Sequence, residues 1–170
     1  MKSVIFFISC LFYVSFIHAQ EHEHEHEHEH LRNEIGLGSG ALYSLGHETW
    51  GVGTHLHYFR TLGMHSKWSL GGGVEQVWGI GSHFNVGAGV KYQLFNRMCL
   101  SLAPGITFFS HNEIEAHRRH KSQKTWFTTH FELIYDLFHW EHFHVGTVFD
   151  YSLTKDDSHV ALGIHTAFCF

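Results

Sequence analysis

The stretch from Val160 to Phe170 decides the fold. Val160, Leu162, Ile164, Thr166, Phe168 and Phe170 fall on one side of an extended chain, with Ala161, Gly163, His165, Ala167 and Cys169 on the other. One face is large and apolar, the other small or polar, and a period of two means a β-strand. The pattern recurs upstream. Trp50, Val52, Thr54, Leu56 and Tyr58 alternate with Gly51, Gly53, His55 and His57, and Phe84 to Leu94 alternates with His83, Asn85, Gly87, Gly89, Lys91 and Gln93. Segments from Ile35 to Tyr43, Trp68 to Val74, Leu100 to Phe108, Phe127 to Tyr135 and Phe143 to Tyr151 bring the number of predicted strands to eight.

Composition agrees with an all-β chain and narrows its surroundings. Aromatics make up 16% of the 170 residues, with 17 Gly and a single Pro, a mixture poor in helix formers. Charged residues are only 16%, well below the usual ~25%, so charge is not what solvates this surface. No apolar run approaches the ~18 residues of a spanning helix. Eight strands of ~9 to 11 residues, by contrast, satisfy the membrane thickness for a small barrel.

Two placements choose lipid over a soluble sandwich. The tyrosines Tyr43, Tyr58, Tyr92, Tyr135 and Tyr151 lie on the apolar face near strand ends, and Trp50, Trp68, Trp78, Trp126 and Trp140 lie at or beyond those ends. Such positions form two interfacial girdles. The polar face carries twelve glycines, among them Gly36, Gly38, Gly71, Gly87, Gly105 and Gly163, as a narrow lumen requires. The expectation is an all-β, eight-stranded antiparallel transmembrane β-barrel over residues 34–170.

Two segments precede it. Lys2, the apolar run Val4 to Ile17 and the small residue Ala19 have the regions of a secretory signal, predicted as 1–19. Its loss leaves 10 Lys and Arg against 16 Asp and Glu, a net charge of −6 that argues against nucleic acid as a partner. Residues 20–33 form a tail in which Glu and His alternate from Glu21 to His30. With nothing apolar to bury, the segment has no reason to fold alone. In an extended chain His22, His24, His26, His28 and His30 share a side, and neutral imidazoles in that arrangement suit Zn, Cu or Ni. The same composition is used in engineered tags, but here it follows a leader with no linker between them.

The lumen offers a second candidate. His55, His57, His83, His130, His142, His144, His159 and His165 all carry the inward parity. His55, His130, Glu132 and His165 are expected at similar depth, three imidazoles and a carboxylate that would suit Zn; packing and hydrogen bonding of polar side chains is the competing account. Lys67, Glu75, Lys91, Asp136 and Asp150 are expected as luminal ion pairs, and Cys99 and Cys169, on separate walls, as free thiols. No nucleophile, histidine and acid set is apparent, so no enzymatic activity is expected.

An even strand number puts both barrel ends of the chain on the periplasmic side. The longest connection is then the fifth, His111 to Lys124, read as an extracellular loop. Its His111, His117, Arg118, Arg119, His120, Lys121 and Lys124 give it a basic character suited to anionic lipopolysaccharide. The chain resembles the small OmpA/OmpX-like outer-membrane barrels over 34–170, ending, as they do, in an alternating strand with a terminal aromatic, here Ile164 to Phe170. That resemblance implies outer-membrane lipid and lipopolysaccharide as surroundings and the barrel-assembly machinery as a partner, but no activity. The function expected is capture of Zn, Cu or Ni by a periplasmic tail, for buffering or handover to a metal transporter; a structural or surface-interaction barrel with no metal role is the alternative, with a lipid-modifying barrel enzyme behind it.

Overall fold

The computed structural model describes residues 32–170 except 64, 65, 80, 81, 116, 117 and 156, and no side chains between 110 and 123. The predicted leader and the repeat from Glu21 to His30 lie outside the described residues. The rest is one closed antiparallel barrel of eight strands in chain order. They are β1 (Asn33–Ser44), β2 (Thr49–Thr61), β3 (Trp68–Trp78), β4 (His83–Phe95), β5 (Met98–Glu115), β6 (Arg118–His139), β7 (Phe143–Thr154) and β8 (Ser158–Cys169). All eight predicted strands are present, and the first begins at Asn33, two residues ahead of the expected Ile35.

Closure is made by β1 and β8, paired from Glu34↔Cys169 to Ser44↔His159. The seam is locked at its end: Asn33 N–H donates to the Phe170 carbonyl and Phe170 N–H to that of Asn33, both at 2.9 Å. Following neighbours around the wall leads from Glu34 through Phe59, Gly71, Gly89, Ala103, His130, Ser152 and His159 back to β1 at Ser44, ten residues beyond the start. A shear of ten on eight strands gives an interior that side chains can fill. Pro104 faces outward in β5; it lacks an N–H, and the β4–β5 ladder skips from Gly87↔Gly105 to Val90↔Leu102 around it without changing register.

The alternation sorts as expected. Leu162 and Ile164 are more than 60% exposed while His165 is 2% exposed. The outward surface is a continuous apolar band that water would not tolerate, and closure leaves no unpaired edge, which are the two requirements for crossing lipid. Tyr43 packs on Trp50 at 5.0 Å at one end and Trp68 on Tyr92 at 4.6 Å at the other. The lumen is not uniformly small, however. Leu42, Phe59, Val77, Ile134 and Val148 point inward and are buried, filling space between the polar clusters.

Three expectations are corrected. The segment His111–Lys124 is not a loop: β5 and β6, with 18 and 22 residues, stay paired to Glu115↔Arg118. The last residues of β5 and the first of β6 have lost β4 and β7 as neighbours, so a two-stranded ribbon stands beyond the wall. Outside lipid, backbone pairing needs no apolar alternation, and the polar sequence concealed it. Trp126 is not in a girdle; it pairs with inward Thr107, and its ring lies 4.4 Å from that of Phe109. Lys67 is exposed ahead of β3, and His142 is exposed in the turn before β7, so neither is luminal.

Val90 and Leu162 are near mid-strand on the lipid side. Val90→Arg or Leu162→Arg should each cost about 2–4 kcal/mol, whereas Thr107→Ser, which keeps the buried hydroxyl, should cost about 1 kcal/mol or less. Denaturant titration of the barrel in phospholipid vesicles measures both, and equal costs would refute the facing.

Candidate functional site

The lumen holds three clusters of imidazole and carboxylate, each placed by inward parity on different strands. The first lies toward the Asn33–Phe170 rim. Glu34 of β1 accepts a hydrogen bond from His57 Nε2 at 3.3 Å through Oε1, and its Oε2 is ion-paired with Lys91 of β4. His165 of β8 brings Nε2 to 3.4 Å from His57 Nε2, with the rings stacked at 5.1 Å. His55 also stacks on His57, at 5.5 Å, with its ring 6.4 Å from that of His165, and puts Nδ1 4.0 Å from Glu132 Oε1. Two glycines make room. A Cβ on Gly36 would collide with Nε2 of both His57 and His165, and one on Gly38 with the His55 ring. The Glu34–Lys91 pair also closes the register locally: removing either partner would strand a buried charge, worth about 3–5 kcal/mol.

The second cluster centres on His130. Asn85 donates its amide to His130 Nε2, Nδ1 donates to Ser152 Oγ at 2.6 Å, and Ser152 donates in turn to Asp150 Oδ1 at 2.8 Å. Glu75 and Asp150 each approach the His130 ring nitrogens at 3.5 Å. Serine, histidine and aspartate are together here, but the hydroxyl receives a hydrogen bond from the imidazole and gives its own proton to the acid. That is the reverse of nucleophile activation, and Ser152 is fully buried. The cluster is a buried polar core in which Glu75 Oε2 and Asp150 Oδ2 have no hydrogen-bond partner among the described residues.

The third cluster is at the rim. His144 Nδ1 donates to Asp136 at 3.2 Å, its Nε2 lies 3.5 Å from Cys169 Sγ, and the His139 ring packs on it at 3.9 Å. Cys99 and Cys169 are both free thiols. His142, in the turn, donates Nδ1–H to the Cys169 carbonyl at 3.1 Å.

Of the four luminal residues expected to gather, His55, Glu132 and His130 line one small cavity of about 50 Å³ together with His57, Phe59, Glu75 and Ser101. His130 is nevertheless committed to Asn85 and Ser152, and His165 turns toward His57 instead. The stagger of ten residues decides these meetings, and alternation alone does not reveal it. Glu34 escaped the sequence reading because it was the first residue of the predicted barrel, although it continues the parity of Gly36 and Gly38. Groups of three donors able to hold an ion, with one atom from each within 4.8 Å of the others, are Glu34, His57 and His165; His55, His57 and Glu132; Asp136, His139 and His144; and Glu75, Asp150 and His159.

No family profile and no curated protein matches the chain. Solved structures do. The chain is similar to the attachment invasion locus protein Ail of Yersinia pestis, solved in complex with the heparin analogue sucrose octasulfate, at TM-score 0.55 and 16% identity over 82% of this chain and 97% of that one. The N-terminal β-barrel domain of Pseudomonas aeruginosa OprF matches at TM-score 0.51 and 12% identity, over 82% and 98%. Neisserial surface protein A matches at 0.52 and 7%, over 81% and 96%. At these identities the likeness shows the fold, that of the small eight-stranded outer-membrane barrels expected from the sequence, and nothing of activity.

Proposed function

We propose that this chain is a bacterial outer-membrane barrel that binds a divalent transition metal, Zn, Cu or Ni, through its His/Glu repeat on the periplasmic side, for buffering or handover to a metal transporter. The observation that carries the reading is the repeat itself: five imidazoles and five carboxylates in ten residues, ending three residues before β1. Repeated carboxylates attract the cation, and imidazole lone pairs hold it. The barrel would serve as the anchor. Among the described residues its lumen is filled largely by side chains, while its apolar outer band fits outer-membrane lipid. Asn33 lies at the rim that also carries Phe170 and the short turn Asn96–Arg97, the side that faces the periplasm in barrels of this kind. A leader over 1–19 and recognition of the terminal aromatic by the assembly machinery complete the proposal.

A surface-interaction role is the second reading, and the paired ribbon at the opposite end favours it. Arg118, Arg119, Lys121 and Lys124 all belong to its β6 half. A basic projection on the extracellular side suits anionic saccharides such as lipopolysaccharide.

Replacing His22, His24, His26, His28 and His30 by Ser in the full chain should remove most Zn²⁺ or Ni²⁺ bound at neutral pH, with the unfolding midpoint unchanged because the repeat has nothing to pack. Protonated imidazole has no lone pair to offer, so binding by the unsubstituted chain should fade as pH falls through ~6.5. Equilibrium dialysis that finds undiminished stoichiometry after the substitutions would reject the tail as the ligand. For the second reading, retention of the full chain on immobilised heparin should weaken when Arg118, Arg119 and Lys121 are replaced by Ser; absence of any retention rejects it.

A further inference from the structure

The geometry points to a separate, folded metal centre inside the barrel: a site for one Zn²⁺-class ion held by Glu34 Oε1, His57 Nε2 and His165 Nε2. It stands apart from the tail and does not depend on it. Ligands 2.0–2.1 Å from a tetrahedral ion are about 3.3 Å from one another. The His57–Glu34 and His57–His165 edges are 3.3 Å and 3.4 Å. Two edges therefore already have the span that a tetrahedral ion imposes.

Protons serve this arrangement unevenly. His57 Nε2 is the shared atom of both edges, and it bears either one hydrogen or one lone pair. If it bears the hydrogen, Glu34 is served and His165 Nε2 can only share that hydrogen or oppose it with its own. If it bears the lone pair, it can accept from His165 but then faces the Glu34 carboxylate lone pair against lone pair. A cation placed against all three atoms removes the conflict. The Nδ1 atoms of His57 and His165, which would carry the hydrogen in Nε2 ligation, are buried with no hydrogen-bond partner among the described residues.

Space and charge fit as well. Gly36 keeps the floor between the two Nε2 atoms clear, where any larger residue would put a methyl group. Lys91 occupies only Oε2 of Glu34 and also lies over the Phe59 ring at 5.3 Å, so it holds the carboxylate in place while leaving Oε1 toward the imidazoles. Its positive charge is matched by Glu132, one of whose oxygens stands within 4.8 Å of donors on His55 and His57. Two carboxylates and one ammonium leave a net negative charge for the dication. The adjoining cavity, which His57 lines, has room for a water. Because its ligands are fixed by β-strands, this site should prefer four-coordinate ions, which a soft tail does not.

The test uses the full-length chain in detergent micelles with His22, His24, His26, His28 and His30 replaced by Ser, titrated with Co²⁺ as a spectroscopic stand-in for Zn²⁺. One Co²⁺ per chain should bind with the intense visible absorption of a four-coordinate ion, and Zn²⁺ should displace it. His165→Gln should weaken binding at least tenfold, and Gly36→Ala, which retains every ligand but fills the floor, should do the same. Folding of each variant is read from its heat-dependent gel mobility. Absence of stoichiometric Co²⁺, a weak six-coordinate spectrum, or binding unchanged in a folded Gly36→Ala or His165→Gln chain would overturn the site. Loss of tail binding with this site retained, or the converse, separates it from the function proposed above.

Discussion

Within hydrocarbon no water can take the place of a missing hydrogen-bond partner, so every backbone N–H and C=O of this chain must find its partner in the chain itself. The seam between β1 and β8, pinned by the reciprocal Asn33–Phe170 bonds, is where that demand is met. Once the sheet is closed, the rest of the structure has little freedom. One face of each strand meets lipid and must be apolar, and the other meets its counterparts across a lumen only a few side chains wide. The single Pro, facing out beside a gap in the β4–β5 ladder, shows how small a defect the wall accepts.

The same closure concentrates polar chemistry inside. A histidine or acid within the closed wall tends inward, where an unpaired charge is costly, and acids there lie beside bases: Glu34 with Lys91, Asp136 with His144, Glu75 and Asp150 with His130. Most of these contacts are satisfied packing. The Glu34–His57–His165 corner differs because its central nitrogen has at most one proton to divide between two neighbours. Glycine on β1 is what permits imidazoles from the neighbouring strands β2 and β8 to lie over it at that point.

Alternation in the sequence was enough to locate all eight strands and to assign inward and outward faces, since lipid leaves no other arrangement for residues such as Val160 to Phe170. It could not supply depth. Which inward residues meet depends on the stagger between strands, and ten residues of shear sends His130 to Ser152 and His165 to His57 rather than to each other. Nor could alternation reveal the ribbon formed by the ends of β5 and β6, because a hairpin in water has no apolar face to write into its sequence. Trp126 misled for a related reason: an aromatic near a predicted strand end reads as a girdle residue, while the strand in fact runs on past it with inward parity. Glu34 was legible as one more step of the Gly36–Gly38 parity.

The central claim is that consecutive residues face lipid and lumen by turns around a closed wall. Ser101 and Leu102 test it directly, being neighbours on β5 that are 1% and 39% exposed. In a chain with Cys99 and Cys169 replaced by Ser and reconstituted in vesicles, a thiol probe dissolved in the bilayer should label Leu102→Cys rapidly and leave Ser101→Cys unreacted. Equal labelling at the two positions, or faster labelling at Ser101→Cys, would contradict the account.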